Sequence, residues 1–152
     1  MAEALLEIDF QGWILNLTHD RDVVAHAHDA RRQARTAGNL VVCLRYLAYQ
    51  GPHADPYAPD VAFPQGLEPN PGDLVMSKWS RDAFDNPDLA DNLRLRGIDQ
   101  VLLTDHAVQF TARSATQLGF AVTVAQEACA GSTAAAHQAA VAQLAELGVV
   151  VN

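Results

Sequence analysis

Short apolar runs alternate along the chain with longer stretches in which apolar residues recur at helical spacing. Unbroken apolar runs are typical of buried strands, whereas recurrence every three or four residues is typical of helices. The pattern predicts strands at Ala4–Asp9, Leu40–Leu47, Asp73–Met76, Val101–Thr104, Ala121–Ala125 and Val149–Val151. It predicts the main helices at Val23–Ala37, Asp88–Arg96, Val108–Leu118 and Thr133–Leu147.

Glycines close the predicted helices just before the apolar strands, at Gly38, Gly97, Gly119 and Gly148. The residue after a helix often has a left-handed backbone, which favours glycine. The strand runs lack polar alternation, which indicates strands covered on both faces and parallel pairing with right-handed crossovers. We therefore expect one α/β domain over residues 1–152, a three-layer α/β/α sandwich with a mainly parallel six-stranded sheet.

The segment 48–72 contains six prolines and shows neither a strand nor a helix pattern. Proline removes the amide donors that helices and sheets need. Long irregular loops in compact domains are more often functional than idle. We interpret the segment as an ordered flap over a site, with a plain surface excursion as the alternative.

Composition narrows the classes of partner. The formal charge is −8 and the ten Lys and Arg residues are scattered, which disfavours nucleic acid. The beginning MAEALLEIDF carries acids where a signal peptide carries bases, and no apolar run is long enough to span a membrane. Cys43 and Cys129 have no cysteine or histidine at a metal-ligand spacing, so we expect neither a disulfide nor a zinc site, and a cytoplasmic location.

Polar residues at the ends of predicted strands are the candidates for chemistry, because ligands of parallel sheets collect at the carboxyl edge. Asp9 closes the first strand, Lys78 follows the third, and residues 104–106 (Thr-Asp-His) follow the fourth. A partly enclosed Asp9 has a raised pKa unless a cation is close, and Lys78 can be that cation. We expect the two side chains within ion-pair range at one end of the sheet.

Four segments together resemble the isochorismatase-like, or cysteine hydrolase, superfamily over nearly the whole chain. They are ALLEIDFQ, LEPNPGDLVMSKWSRDAFDNPDL, LRLRGIDQVLLT and VTVAQEACAGSTAAAHQAAVAQLAELGVVV. The resemblance implies that Asp9 is a proton acceptor and that Lys78 is its electrostatic partner. In the family these two meet a cysteine at a helix N-terminus, where the helix dipole and the cation stabilise a thiolate.

The cysteine of that family is absent here. Alignment backward from TARSATQLG places Ala107 at the nucleophile position, whereas alignment forward from GIDQVLLT places Thr111 there, with about four residues missing between the two anchors. The missing residues fall where the family has a glycine-containing turn, so the backbone that binds an oxyanion is affected too. Cys43, in an apolar strand, and Cys129, at a different family position, are weaker candidates for a nucleophile.

The expected substrate-binding residues are Phe10, Gln11, Trp79 and His106. Aromatic side chains can form the wall of a pocket for a planar ligand, and Trp79 beside Lys78 is preferred for that role over Phe10, Trp13 and Phe84. His106 is a candidate acid or base. We expect no metal and no cofactor; His53 with Asp55 is a faint counterpart of the metal ligands found in some family members.

The resemblance implies a small-molecule hydrolase that works without a covalent cysteine intermediate, with Asp9 as general acid and Lys78 orienting an anionic group. The alternative is a catalytically silent relative that binds a ligand or assembles into oligomers. A third possibility is an amidase that uses Thr111 or Cys129. We expect a homo-oligomer, a dimer or a tetramer, in which the alanine-rich helix packs on the sheet or on a partner subunit.

Overall fold

Parallel strands form the centre of the molecule, which a computed structural model describes over residues 2–106 and 108–152. Its strands are β1 (Ala2–Ile8), β2 (Leu40–Tyr46), β3 (Leu74–Lys78), β4 (Ile98–Asp105), β5 (Ala121–Val124) and β6 (Val150–Val151). Its α-helices are α1 (Gly12–Leu15), α2 (Val23–Thr36), α3 (Pro87–Leu95), α4 (Gln109–Gln117) and α5 (Ala134–Glu146). The strands lie in the order β3-β2-β1-β4-β5-β6 and every neighbouring pair is parallel. The predicted fold class is confirmed.

Local signals explain where the elements begin and end. Pro87 opens α3, and the side chain of Asn86 caps this helix by accepting a hydrogen bond from the Asp88 amide at 3.1 Å. Gly97 and Gly119, with φ of 69° and 91°, follow α3 and α4 in the left-handed conformation. The glycine stops therefore mark real helix ends.

Helices cover both faces of the sheet, but unequally. Helices α3, α4 and α5 contribute to the large core on one face, together with Leu6, Leu103 and Val124 from the strands. On the opposite face α2 packs on β1 and β2, where Leu5 and Val41 are buried. Within the described residues no helix is long and apolar enough to cross a membrane.

Two boundaries differ from the prediction in ways that matter for the site. Strand β3 continues to Lys78, so this lysine closes the strand rather than following it. The short helix α1 was not predicted, because four residues are too few to show a helical period. In α5, Ala140 and Leu144 are buried as expected, whereas Ala136 is exposed and lines a cavity.

The proline-rich segment braces the domain from outside the cavity. Val61 and Leu67 are buried, and Arg31 of α2 donates hydrogen bonds to the carbonyl oxygens of Leu67 and Glu68 at 2.9 and 2.7 Å. No described residue of segment 48–72 lines the cavity near Asp9. The segment is therefore ordered as expected, but the interpretation as a flap over the site is not supported.

Candidate active site

Asp9 and Lys78 meet at the carboxyl edge of the sheet. Asp9 follows β1, Lys78 closes β3, and the lysine side chain crosses the end of β2 to bring its Nζ to 3.0 Å from Asp9 Oδ2. The ammonium lies 4.7 Å from the centroid of the Tyr46 ring and donates to the Arg81 carbonyl oxygen at 3.2 Å. Lys78 is 1% exposed and Asp9 is 4% exposed. The expected contact is present, and the catalytic roles of the pair stay predictions.

The backbone at Asp9 turns sharply after the strand. Its φ is 67°, a left-handed conformation that aspartate adopts more readily than most residues with a Cβ. The Asp9 amide donates to the Leu44 carbonyl oxygen at 3.2 Å, and the Asp9 carbonyl oxygen accepts from the Gln11 amide at 2.9 Å. These hydrogen bonds hold the turn that carries the carboxylate.

The environment of Asp9 favours exchange of a proton near neutral pH. Burial raises the pKa of Asp9 to about 6, and the charge and hydrogen bond of Lys78 limit the rise. Asp9 Oδ1 is buried and has no hydrogen-bond partner among the described residues. A carboxyl group with such a pKa can serve as a general acid or base.

A cavity of about 470 Å³ opens beside Asp9, a size that suits a small molecule. Aromatic side chains from α1, β2 and α4 form its walls, and Asp9 is the carboxylate among its described lining residues. The lining comprises Asp9, Trp13, Ile14, Leu17, Tyr46, Arg81, His106, Val108, Gln109, Phe110, Ala130, Gly131, Ser132, Ala136, His137 and Ala140. The cavity thus combines apolar walls with one acid and several basic groups.

His106 lies in the cavity wall, as its position after β4 suggested. Its Nδ1 is 3.0 Å from the Thr18 hydroxyl, which fixes the ring. Burial lowers the pKa of His106, and the positive charges of Lys78, His19 and Arg81 lower it further. The imidazole is therefore predominantly neutral at pH 7 and can accept or donate one hydrogen bond.

Gln11, Phe10 and Trp79 do not line the cavity. Gln11 is fully buried, where its amide donates to the Tyr46 and Val61 carbonyl oxygens at 3.1 and 2.7 Å and accepts from the Tyr46 amide at 2.6 Å. Phe10 packs in the core beneath α2. Trp79 is 44% exposed, since neighbouring residues of an extended chain point in opposite directions and Lys78 points inward. These positions give the three residues no contact with a ligand in the cavity.

None of the candidate nucleophiles among the described residues lines the cavity. Ala107 lies outside the described residues. Thr111 is fully buried, its hydroxyl accepts a hydrogen bond from the Ala83 amide at 3.1 Å, and it does not line the cavity. Burial raises the pKa of Cys43 to about 12 and also raises the pKa of Cys129, and neither thiol lines the cavity. Thiolate chemistry therefore has no support from these two residues.

Sequence reasoning missed Arg81 and His137 and assigned no role to Asp105. The guanidinium of Arg81 lies 5.5 Å from the centroid of the Phe110 ring, inside the cavity wall. His137, in the first turns of α5, faces the same space. Arg81 lies in a loop and His137 in a helix, so neither follows a predicted strand, which was the pattern used to choose candidates. Asp105 does follow a predicted strand and could have been chosen on that ground.

Comparison with known proteins identifies similar chains. The model of the Isochorismatase domain matches residues 3–152. The isochorismatase family protein YecD of Escherichia coli O157:H7 is 30% identical over 157 residues, covering 88% of this chain and 82% of that protein. A streptothricin hydrolase of Streptomyces noursei is 31% identical over 136 residues, covering 84% of this chain and 54% of that hydrolase.

Solved structures share the fold. A protein of the isochorismatase family from Chromobacterium violaceum matches 99% of this chain and 89% of its own with a TM-score of 0.89 at 23% identity. The pyrazinamidase of Pyrococcus horikoshii, solved in complex with zinc, matches 100% of this chain and 99% of its own with a TM-score of 0.86 at 20% identity. Among residues 2–106 and 108–152, no three His, Cys, Asp or Glu side chains converge on a metal position. His53 instead stacks on Trp13 and pairs with Asp60 at 3.2 Å, so we derive no step through a metal.

Proposed function

The chain belongs to the isochorismatase domain family, and from that premise we propose that it hydrolyses a small molecule with Asp9 as the proton-transfer group and without a covalent cysteine intermediate. One observation carries the proposal. The buried Asp9–Lys78 pair borders a ligand-sized cavity, from which both thiols are excluded.

In the proposed reaction, the protonated Asp9 carboxyl donates its proton to the substrate as the scissile bond weakens. Water then adds to the electron-poor carbon, and the proton that it releases returns to Asp9. Lys78, 3.0 Å away, stabilises the carboxylate that exists between the two transfers. The walls formed by Trp13, Tyr46 and Phe110 favour a planar substrate.

A silent ligand-binding protein is the second candidate, and the cavity lining itself favours it. Binding needs only the aromatic walls and the Arg81 guanidinium, whereas turnover also needs proton transfer. Measurements of binding and of turnover on the same variants therefore separate the two functions.

The test is to assay the protein on a panel of amides and isochorismate between about pH 5 and about pH 8. We expect kcat/KM to fall as pH rises through about 6, where Asp9 loses its proton. Asp9→Asn should lower the rate by about two to four orders of magnitude. Asparagine also tolerates a φ of 67°, so this variant changes the acid without straining the turn.

Two further variants sharpen the assay. Lys78→Met removes the charge that lowers the pKa of Asp9, so the falling limb should move to higher pH. The matched control is Asp99→Asn, which alters an exposed carboxylate at the opposite end of β4 and should leave the profile unchanged. A wild-type rate in Asp9→Asn would refute the mechanism, and binding without turnover would establish the silent alternative.

The proposal also includes an oligomeric state and a cellular location. We infer a homo-oligomer, to be measured by light scattering of the purified protein. We also place it in the cytoplasm, where its two free cysteines would stay reduced, and fractionation of the source cells tests this location.

A further inference from the structure

Asp105 is a second buried carboxyl group beside the candidate acid. It closes β4 and is fully buried, and both of its side-chain oxygens lack a hydrogen-bond partner among the described residues. In the β1–β4 ladder it lies opposite Ile8, and Asp9 is the next residue of that chain. Asp9 Oδ1 is likewise buried without a donor. The two neighbouring carboxyl groups therefore hold three buried oxygens without a hydrogen-bond partner among the described residues.

Strand geometry directs Asp105 towards the site. Alternate residues of a strand share a face, so Asp105 points to the same side as Leu103. Lys78 shares a face with Met76 in the same way. Leu103 and Met76 both pack in the core beneath α3, α4 and α5. The Asp105 carboxyl and the Lys78 ammonium consequently extend into the same layer at the same edge of the sheet.

Titratable groups approach Asp105 from every neighbouring element: Asp9 after β1, Lys78 at the end of β3, Asp82 beyond β3, His106 after β4 and Cys129 after β5. Burial raises the pKa of Asp105 well above its ordinary value, and the Asp9 charge raises it further. Lys78 and the nearby His106 backbone amide lower it, although the amide does not reach hydrogen-bond geometry with either Asp105 oxygen, and Asp82 raises it. Lys78, whose positive charge lowers the pKa of Asp105, cannot alone balance two ionised carboxylates.

We propose that Asp105 remains protonated and that, once Asp9 is ionised, the Asp105 hydroxyl donates a hydrogen bond to the Asp9 carboxylate, so that the two groups then share one proton beside Lys78. The shared proton supplies the donor that Asp9 Oδ1 lacks and makes the trio of side chains neutral. The inference rests on the proposed function and extends it, because it makes Asp105 a positioning residue that acts through Asp9.

The protonated Asp105 also stabilises Asp9 after Asp9 has transferred its proton. After Asp9 gives its proton to the substrate, its carboxylate receives hydrogen bonds from Lys78 and from the Asp105 hydroxyl. Asp105 stays protonated throughout, so the reaction consumes no extra proton. Two donors on one carboxylate keep its pKa from rising further in an environment that burial alone makes unfavourable.

The test is a titration of aspartate carboxyl carbons by carbon-13 NMR, supported by the infrared band of a protonated carboxyl. Asp105→Asn keeps a neutral hydrogen-bond donor, Asp105→Leu keeps similar bulk without one, and Asp99→Asn is the exposed control on the same strand. At pH 7 the wild type and the control should show a protonated carboxyl that is absent from Asp105→Asn. Asp9 should titrate alike in the wild type and the Asn variant, and about one unit higher in the Leu variant.

Thermal unfolding supplies a measurement that needs only the Asn variant, should the Leu variant fail to fold. A carboxyl whose pKa is raised in the folded state contributes stability that is present below its unfolded pKa and is lost as pH rises. The Tm of Asp105→Asn should therefore exceed that of wild type at pH 7, with the gap closing towards about pH 4. Asp99→Asn should show no such trend.

Each outcome decides the proposal. A fully ionised Asp105 at pH 7, equal Asp9 titration in the Asn and Leu variants, or no pH-dependent gap in Tm would overturn it. None of these readouts requires a substrate. If Asp9→Asn abolishes turnover while Asp105 titrates normally, the proposed function is supported and the shared proton is refuted. If the two carboxyl groups share a proton but the protein shows no turnover, the shared proton is supported and the proposed function is refuted.

Discussion

The buried ion pair between Glu7 and Arg31 should dominate the stability of the side of the domain that α2 covers. Arg31 Nη2 and Nε contact the Glu7 carboxylate at 2.5 and 2.8 Å. The Arg31 side chain is 8% exposed and the Glu7 side chain is 4% exposed. The same guanidinium donates to the carbonyl oxygens of Leu67 and Glu68. Arg31 therefore joins β1, α2 and the proline-rich segment.

Arg31→Met removes the cation while retaining most of the side-chain bulk. The substitution leaves a buried carboxylate without its partner, and breaking such a pair costs about 3–5 kcal/mol. Combining it with Glu7→Met removes the stranded charge, so the double variant should be more stable than the single one. A remaining loss of about 1–3 kcal/mol is expected, because the Leu67 carbonyl oxygen has lost a buried donor.

The measurement is urea unfolding followed by circular dichroism, with the free energy of unfolding extrapolated to water. Arg32→Met is the matched control, since Arg32 is the next residue of α2 and pairs with Asp29 at 2.5 Å, with side chains 73% and 52% exposed. Exposed pairs contribute at most about 1 kcal/mol. If Arg31→Met cost no more than Arg32→Met, or if the double variant lost the sum of the two single losses, the reasoning would be wrong.

Three further predictions follow from buried groups. Gln11→Leu should lower the free energy of unfolding by about 2–4 kcal/mol in urea, because its amide satisfies three backbone groups; a loss below about 1 kcal/mol would contradict the bracing role. Cys43 and Cys129 are 1% and 2% exposed, so a thiol reagent should label them at least about tenfold more slowly in the native protein than in urea, and equal rates would contradict their burial. The pKa of Asp9 is about 6 in the folded protein, against an ordinary value of 3.8, so the stability that Asp9 contributes is lost as pH rises from about 4 to about 6. The free energy of unfolding of Asp9→Asn should therefore exceed that of wild type by about 3 kcal/mol at pH 8, and the two should be equal at low pH. Equal differences at both pH values would refute it.

The elements of the fold were predictable because their signals are local. Apolar runs mark strands wherever helices bury them, and glycines such as Gly97 end helices through a backbone preference that needs no tertiary context. The Asp9–Lys78 contact was predictable too, because parallel strands bring their carboxyl ends to one edge. The end of β3 was misplaced because the polar Ser77 interrupts the apolar run before Lys78, and the start of β4 was placed three residues late because Asp99 and Gln100 interrupt its apolar run.

The walls of the cavity were not predictable by the same means. Trp79 was preferred for its proximity to Lys78 in sequence, yet alternation along the extended chain directs it outward. Trp13 occupies the wall instead, because α1 turns it there, and that helix is too short to leave a periodic signal. Side-chain direction in loops and single helical turns depends on tertiary packing, so Arg81 was missed for the same reason.

Two buried ion pairs among the described residues, Glu7–Arg31 and Asp9–Lys78, differ in a way that bears on function. The Glu7 and Arg31 charges are matched by hydrogen bonds from both partners and from the chain around them, as a structural clamp requires. The Asp9 and Lys78 pair leaves Asp9 Oδ1 without a donor, lies on a left-handed turn and borders the cavity. Apolar residues of similar volume would stabilise a core at least as well as a buried pair with unmet hydrogen bonds. A contribution to stability therefore does not explain why Asp9 Oδ1 lacks a hydrogen-bond donor. The missing donor favours a functional role, in which a proton or a ligand supplies the hydrogen bond.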